Sequence, residues 1–129
     1  MNEIWKDINK YNGNYQISNF GRVKSLQRTI IDSMGRKFNY YEKILFLSIN
    51  QFGYCRVRFS KNSKQVSKLV HRLVAEHFIS NPYNYPVVNH KDGNKLNNNI
   101  ENLEWTTHSL NQKHAYEKGF NPSTKRCYR

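Results

Sequence analysis

A cluster of polar side chains around His90 has the composition of a hydrolytic metal site. A segment of extended pattern ends in His90, and a later helical segment carries Asn111 and His114 three residues apart, so both are expected on one helix face. Hydrolysis of a phosphodiester needs a base to activate water and a cation to neutralise charge on the phosphate. Histidine titrates near neutrality, and amide oxygens suit a hard cation such as Mg²⁺.

The elements that must position this cluster follow from the spacing of apolar residues. A helix is predicted near residues 70–79, ended by Asn81-Pro82, and His71 is expected on its surface with His77 partly buried. Residues 86–90 and 103–106 have extended patterns. A second helix is predicted to start at Ser109, with Gln112 completing a capping box, and to end at Gly119.

The first half of the chain has the pattern of short strands separated by turns, including a turn at residues 19–21. Arg22 and Lys24 alternate along one strand, and Arg56 and Arg58 along another, so each pair is expected on one face. The sequence therefore predicts a small antiparallel sheet with a basic face. These four side chains are the favoured DNA contacts, because phosphate contacts give affinity and position. Weaker candidates are Arg72, Lys91, Lys95 and Lys113.

Composition narrows the class of protein. The 129 residues carry 21 Lys and Arg against 9 Asp and Glu, a formal net charge of +12. Residues 1–68 hold 13 basic and 4 acidic residues, so most of the excess lies there. A surface of this charge attracts polyanions. No signal peptide, membrane-spanning stretch or zinc-type cysteine pair is present, and a soluble, intracellular protein is expected.

Two ordered motifs resemble a known family. The stretches Val88-Asn-His-Lys-Asp-Gly-Asn-Lys95 and Glu101-Asn-Leu-Glu-Trp105, followed by Asn111, resemble the HNH endonucleases of the phage homing type. The opening, with Tyr15-Gln-Ile-Ser-Asn19 and Gly21-Arg-Val-Lys-Ser25, is similar to the modular DNA-binding segment that precedes such nuclease cores. The expected architecture is α+β: a basic β-rich DNA-binding module at residues 1–68, a ββα-metal nuclease core at 69–119, and a basic tail at 120–129.

The resemblance implies cleavage or nicking of double-stranded DNA with one divalent cation, Mg²⁺ or Mn²⁺. It makes His90 the general base, Asn102 the residue that braces the loop or orients His90, and Asn111 a metal ligand. Asn89 stands where related enzymes often have a metal-binding Asp, and a neutral amide should hold Mg²⁺ more weakly than a carboxylate. His114 joins or replaces Asn111, and the sequence leaves these two alternatives open.

Other functions remain as alternatives. The first is a DNA-binding protein with an inactive or vestigial HNH core, favoured by Asn89. Related enzymes usually continue into further DNA-reading modules, whereas this sequence ends about ten residues after Gly119. Either the reading frame is truncated or degenerate, or the protein is a minimal nuclease with relaxed sequence choice. An RNA-binding basic domain would explain the charge but not the ordered His90, Asn102 and Asn111. A monomer that nicks one strand is expected, because one active site meets one phosphate at a time.

Overall fold

The computed structural model describes residues 2–61 and 64–117, and the side chains of residues 113–117 lie outside this description. The strands of the first half are β1 (Trp5–Asp7), β2 (Tyr15–Ser18), β3 (Val23–Ser25), β4 (Arg28–Ile31), β5 (Lys37–Tyr40), β6 (Lys43–Ile44), β7 (Ser48–Ile49), β8 (Cys55–Lys61) and β9 (Lys64–Leu69). Then follow α1 (Val70–Phe78), β10 (Val87–His90), a 3₁₀ turn at Ile100–Asn102, β11 (Leu103–Thr106) and α2 (His108–Glu117).

The first half forms three antiparallel sheets, where the sequence predicted one. The strand orders are β1-β2-β3-β6, β4-β5 and β7-β8-β9. Leu45 and Leu47 pack against the core while Phe46 between them is exposed, so the apolar run at 44–49 is divided into two short strands. The β4-β5 ribbon was missed by the sequence analysis. Its turn is held by Asp32, whose side chain accepts the backbone N–H groups of Met34 and Arg36.

Helix α1 connects the two halves through one apolar core. Its buried residues Val70, Leu73 and Val74 belong to the same cluster as Ile17 and Phe59 from the first half. The cluster also contains Val88 and Leu103 from β10 and β11. The division at residues 68 and 69 stays a prediction, but burial of apolar surface stabilises both sides of it together.

The predicted second half is confirmed in most respects. Strands β10 and β11 pair antiparallel, with Val87 opposite Thr106 and His90 opposite Leu103. The predicted start of α2 was wrong, because the hydroxyl of Thr107 accepts the backbone N–H of Leu110 and caps the helix before Ser109. The predicted end at Gly119 lies outside the described residues. Among the described residues, no helix is long and apolar enough to cross a membrane.

Candidate active site around His90

His90 ends strand β10 and is completely buried. Its Nε2 lies 2.8 Å from Oδ1 of Asn98, and an amide oxygen accepts hydrogen bonds without donating them. With the amide in this orientation, the ring proton is on Nε2. The other ring nitrogen, Nδ1, has no hydrogen-bond partner within the described part of the chain. His90 therefore presents an unshared electron pair on Nδ1, which is what a general base requires.

The pKa of His90 is lowered, and burial is the main cause because it disfavours the imidazolium form. The hydrogen bond to Asn98 and the carboxylate of Asp92 act in the opposite direction, and Lys95 adds to the lowering. The imidazole of His90 therefore stays neutral down to a lower pH than that of an exposed histidine.

An aromatic stack covers His90. The ring centroids of His71 and His90 are 5.0 Å apart, and the ring of Tyr54 lies 4.8 Å from that of His71. The expectation that His71 lies on the helix surface was wrong: the first turn of α1 faces inward and His71 is 1% exposed. His77 is partly buried, as predicted. Both Tyr54 and His71 were missed as neighbours of His90, because their contact arises between separate elements.

Asn89 and Asn111 each bury a side-chain oxygen that has no hydrogen-bond partner among the described residues. The Nδ2 group of Asn89 donates to Glu104 at 2.9 Å across the β10–β11 pair, which fixes Oδ1 as the other end of the amide. Helix α2, which carries Asn111, packs against β10. A buried acceptor without a donor costs free energy, so a group that satisfies either oxygen would stabilise the site.

These two oxygens fit a hard divalent cation, which prefers oxygen ligands and keeps water in the rest of its shell. The described residues contain no group of three or more His, Cys, Asp or Glu side chains that could hold a metal. A cation held by Asn89 and Asn111 would rest on neutral amides, with Glu104 next to one of them. The side chain of His114 lies outside the described residues, so the choice between Asn111 and His114 stays a prediction.

Asn102 contacts the loop that follows His90, and within the described part of the chain its side-chain hydrogen bonds go to that loop. Its Nδ2 donates to Asp92 Oδ1 and to the carbonyl of Asn97, both at 2.9 Å, and its Oδ1 accepts the backbone N–H of Asp92 at 3.0 Å. The backbone N–H of Lys91 donates to the Asn102 carbonyl at 2.8 Å. This geometry matches the loop-bracing alternative for Asn102, whose role stays a prediction.

The residue at the His90 ring is Asn98, which sequence analysis missed. It lies within three consecutive asparagines that are easily taken for a composition effect in a chain with 18 asparagines. Each has its own partner: Asn97 donates to Asp92, Asn98 accepts from His90, and Asn99 accepts the backbone N–H of Glu101. Their position in the sequence could have indicated this role, because they lie between the histidine that ends β10 and the 3₁₀ turn.

The four favoured basic residues do not share one sheet. Arg56 and Arg58 of β8 line a groove together with Lys43 of β6; Arg58 is exposed, and Arg56 donates to the hydroxyl of Ser48 at 2.9 Å. Lys24 lies on β3, which pairs with β6, and Arg22 directly precedes β3; both cations approach the ring of Trp5. They also face carboxylates, because Arg22 pairs with Glu3 and Lys24 with Glu42.

The weaker DNA-contact candidates are dispersed. Arg72 bonds the carbonyl of Pro86 at 2.9 Å and lies over the ring of Trp105, so part of its function is structural. Lys95 donates to the carbonyl of Phe52 at 3.0 Å. Lys91 is exposed. The side chain of Lys113 lies outside the described residues.

Two segments of the chain match known families. Residues 3–60 match the NUMOD4 motif and residues 68–113 match the HNH endonuclease family. The chain is 39% identical over 115 residues to the DNA endonuclease I-HmuI of Bacillus phage SP01, covering 89% of this chain and 59% of the relative. An HNH endonuclease of Acanthamoeba polyphaga mimivirus is 43% identical over 115 residues, covering 89% of this chain and 30% of the relative.

A solved structure of DNA binding and cleavage by the HNH homing endonuclease I-HmuI matches with a TM-score of 0.72 and 38% identity. That match covers 95% of this chain and 64% of the other. The chain thus spans about three fifths of the curated I-HmuI sequence and less of the mimivirus relative. The two family matches and the shared α+β fold show that the chain carries an N-terminal NUMOD4 motif followed by an HNH endonuclease segment, and that it is similar to the phage homing endonuclease I-HmuI.

Proposed function

We propose that the protein is a metal-dependent DNA endonuclease that hydrolyses phosphodiester bonds, acts as a monomer and nicks one strand of the duplex. The observation that carries the proposal is the pair of unshared groups at the end of β10: Nδ1 of His90 and, on the adjacent residue, Oδ1 of Asn89. By analogy with its relatives, it acts inside a bacterial or phage-infected cell.

His90 is the general base of this proposal. The bond from Nε2 to Asn98 leaves Nδ1 as the nitrogen that removes a proton from water. The hydroxide so formed attacks the phosphorus, the bond from phosphorus to the leaving oxygen breaks, and that oxygen takes up a proton from solvent. The lowered pKa of His90 keeps the ring neutral, and therefore competent as a base, at neutral pH.

Asn89 and Asn111 are the proposed ligands of one cation, Mg²⁺ or Mn²⁺. When bound, the cation would neutralise the negative charge that develops on the phosphate. Glu104 holds the amide of Asn89 so that its oxygen remains available. Asn102 keeps the loop after His90 closed through its bonds to Asp92 and Asn97.

Double-stranded DNA is the proposed substrate, and the groove of Lys43, Arg56 and Arg58 is the proposed principal contact. Three cations share this groove, whereas Arg22 and Lys24 are each paired with a carboxylate. Arg22 and Lys24 are secondary contacts, because binding DNA would compete with Glu3 and Glu42. Lys91, Lys95, Lys113 and Arg72 complete the proposed set.

A DNA-binding protein with an inactive HNH core is the second candidate. Two observations favour it: residue 89 is a neutral amide, and the His90 ring is 0% exposed beneath Tyr54 and His71. An active enzyme must let water and a phosphate reach Nδ1, so the stack has to open when DNA binds.

A supercoiled-plasmid assay separates the two candidates. Wild type, His90→Ala and His108→Ala are compared with EDTA, Mg²⁺ and Mn²⁺; His108 is an exposed histidine and serves as the matched control. The nickase is supported if wild type and His108→Ala convert the plasmid to open circle only when metal is present, and His90→Ala does not convert it at all. Linear product argues for paired active sites. Plasmid binding without cleavage under any condition overturns the endonuclease in favour of the inactive core.

A further inference from the structure

The turn between β2 and β3 lies directly against Asn98, the hydrogen-bond partner of His90. Gly21 is buried in this turn with φ +86°, and a Cβ added to it would lie 2.8 Å from Cβ of Asn98 and 3.0 Å from its carbonyl oxygen. Next to this contact, the carbonyl of Asn19 accepts the backbone N–H of Ile100 at 2.9 Å. The N-terminal motif and the nuclease segment therefore meet without space at Asn98.

Asn98 is held from three sides. Gly21 lies against its Cβ and backbone, the ring of His90 donates to its Oδ1 at 2.8 Å, and its side chain faces the thiol of Cys55 at the start of β8, where it opposes the rise in the thiol pKa that burial causes. Asn98 is 5% exposed, and protein interiors are close-packed, so a displacement on one side is transmitted to the others. Two of these three contacts come from the first half of the chain.

We propose that the β2–β3 turn of the N-terminal motif is a positioning element for His90 and acts through Asn98. The N-terminal motif would then do more than hold DNA: it would set the tautomer and the orientation of the base in the neighbouring segment. This inference rests on the proposed role of His90 as general base. Its structural part, from the turn to Asn98 to the His90 ring, is testable without any cleavage.

The variant that isolates the contact is Gly21→Ala. Its matched control is Gly35→Ala, because Gly35 has φ +80° but nothing within 4 Å of an added Cβ. Both variants share the cost of an alanine in the left-handed region, and only Gly21→Ala pushes on Asn98. Asn98→Ala, which removes the acceptor, and Asn98→Asp, which keeps an acceptor oxygen, are measured beside them.

The first readout is the pair of ¹⁵N chemical shifts of the His90 ring, recorded without metal or DNA. Wild type and Gly35→Ala should give the pattern of a proton on Nε2. Asn98→Ala should give a mixture of tautomers, and Gly21→Ala should move toward that mixture. Asn98→Asp should keep the proton on Nε2 when the shifts are recorded above the pKa of His90, which the new carboxylate raises. Unchanged shifts in a folded Gly21→Ala protein would overturn the proposal. Should Gly21→Ala fail to fold, unchanged shifts in Asn98→Ala would overturn it equally.

The second readout is nicking rate at saturating protein together with plasmid affinity. Gly21→Ala should lose about tenfold to a hundredfold in rate, as expected for a misplaced catalytic group, while affinity stays within about twofold of the Gly35→Ala control. In an Asn98→Ala background the Gly21→Ala substitution should have no further effect on rate, because both act through the same amide. If Gly21→Ala reduced the nicking rate equally in the wild-type and Asn98→Ala backgrounds, its effect would not pass through Asn98 and the proposal would be contradicted. A wild type that does not nick but shows the expected ¹⁵N pattern would refute the endonuclease and leave the positioning contact standing.

Discussion

Introducing a carboxylate at residue 89 tests the proposed cation site most directly. In Asn89→Asp, the new carboxylate would face the carboxylate of Glu104, because Asn89 Nδ2 now lies 2.9 Å from Glu104 Oε1. Two like charges at about 3 Å repel by about 6 kcal/mol at an effective dielectric constant of about 20. The pair can avoid this repulsion by protonating one carboxylate. Because pH 7 lies about three units above an ordinary carboxyl pKa, that protonation costs about 4 kcal/mol, which is the upper limit of the destabilisation. Glu104 is partly exposed and can turn away, so we expect a loss of about 2–3 kcal/mol in unfolding free energy.

The sign of the pH dependence follows from the raised pKa of the carboxylate pair in the folded variant. The folded state binds the extra proton more tightly than the unfolded state, so the deficit in unfolding free energy grows as pH rises through about 4 to 7. A divalent cation between the two carboxylates and Asn111 would remove the repulsion. The variant should therefore gain more stability from Mg²⁺ or Mn²⁺ than wild type does.

The assay is urea unfolding at pH 5 and pH 7, with EDTA and with each metal. The matched control is Asn39→Asp, which makes the same change of charge on the exposed β4-β5 ribbon and keeps the oxygen that accepts from Thr29. The reasoning is refuted if Asn89→Asp is as stable as Asn39→Asp in EDTA at pH 7, or if neither metal stabilises it beyond the control. The first result would mean that residue 89 does not face Glu104, and the second that its oxygen does not face a cation site.

Two further predictions concern DNA contact and pH. Arg58→Ala should reduce the slope of log affinity against log salt by about 0.9, the value for one lost phosphate contact. Lys68→Ala is the control and should leave the slope unchanged, because Lys68 pairs with Val57 and its side chain lies on the face of the sheet opposite to Arg58. Equal slopes for the two variants would remove the groove from the proposed interface. The lowered pKa of His90 predicts that unfolding free energy falls as pH drops below about 6.5, since the unfolded state then binds a proton that the buried ring refuses. Urea titrations from pH 7.5 to pH 5 should show this fall in wild type and less of it in His90→Gln; parallel curves would mean that another group is responsible.

Local patterns in the sequence were sufficient for the elements that carry the site. The apolar periodicity of residues 70–78 predicted α1, and the extended segments ending at His90 and starting at Leu103 became β10 and β11. These predictions worked because helix and strand periods depend on residues close together in the chain. The alternation of Arg56 and Arg58 around buried Val57 was likewise readable, since side chains on a strand alternate between its faces.

The tertiary structure decided what the local pattern left open. Sequence analysis placed His71 on a surface, because the face that a helix buries depends on which elements pack against it, and here the first turn of α1 meets Tyr54 and His90. It assigned the basic residues to one sheet, although short strands with similar patterns pair in three.

The composition and the order of residues determined the two family motifs and the excess of positive charge, and they singled out His90 as the candidate base. The partner that fixes the proton on His90 was decided by folding. Asn98 reaches the ring because the bonds of Asn102 close the loop and the turn at Gly21 packs against its other side. Those contacts join residues from separate segments, so no periodicity along the chain encodes them; they exist only once the apolar core has brought the segments together.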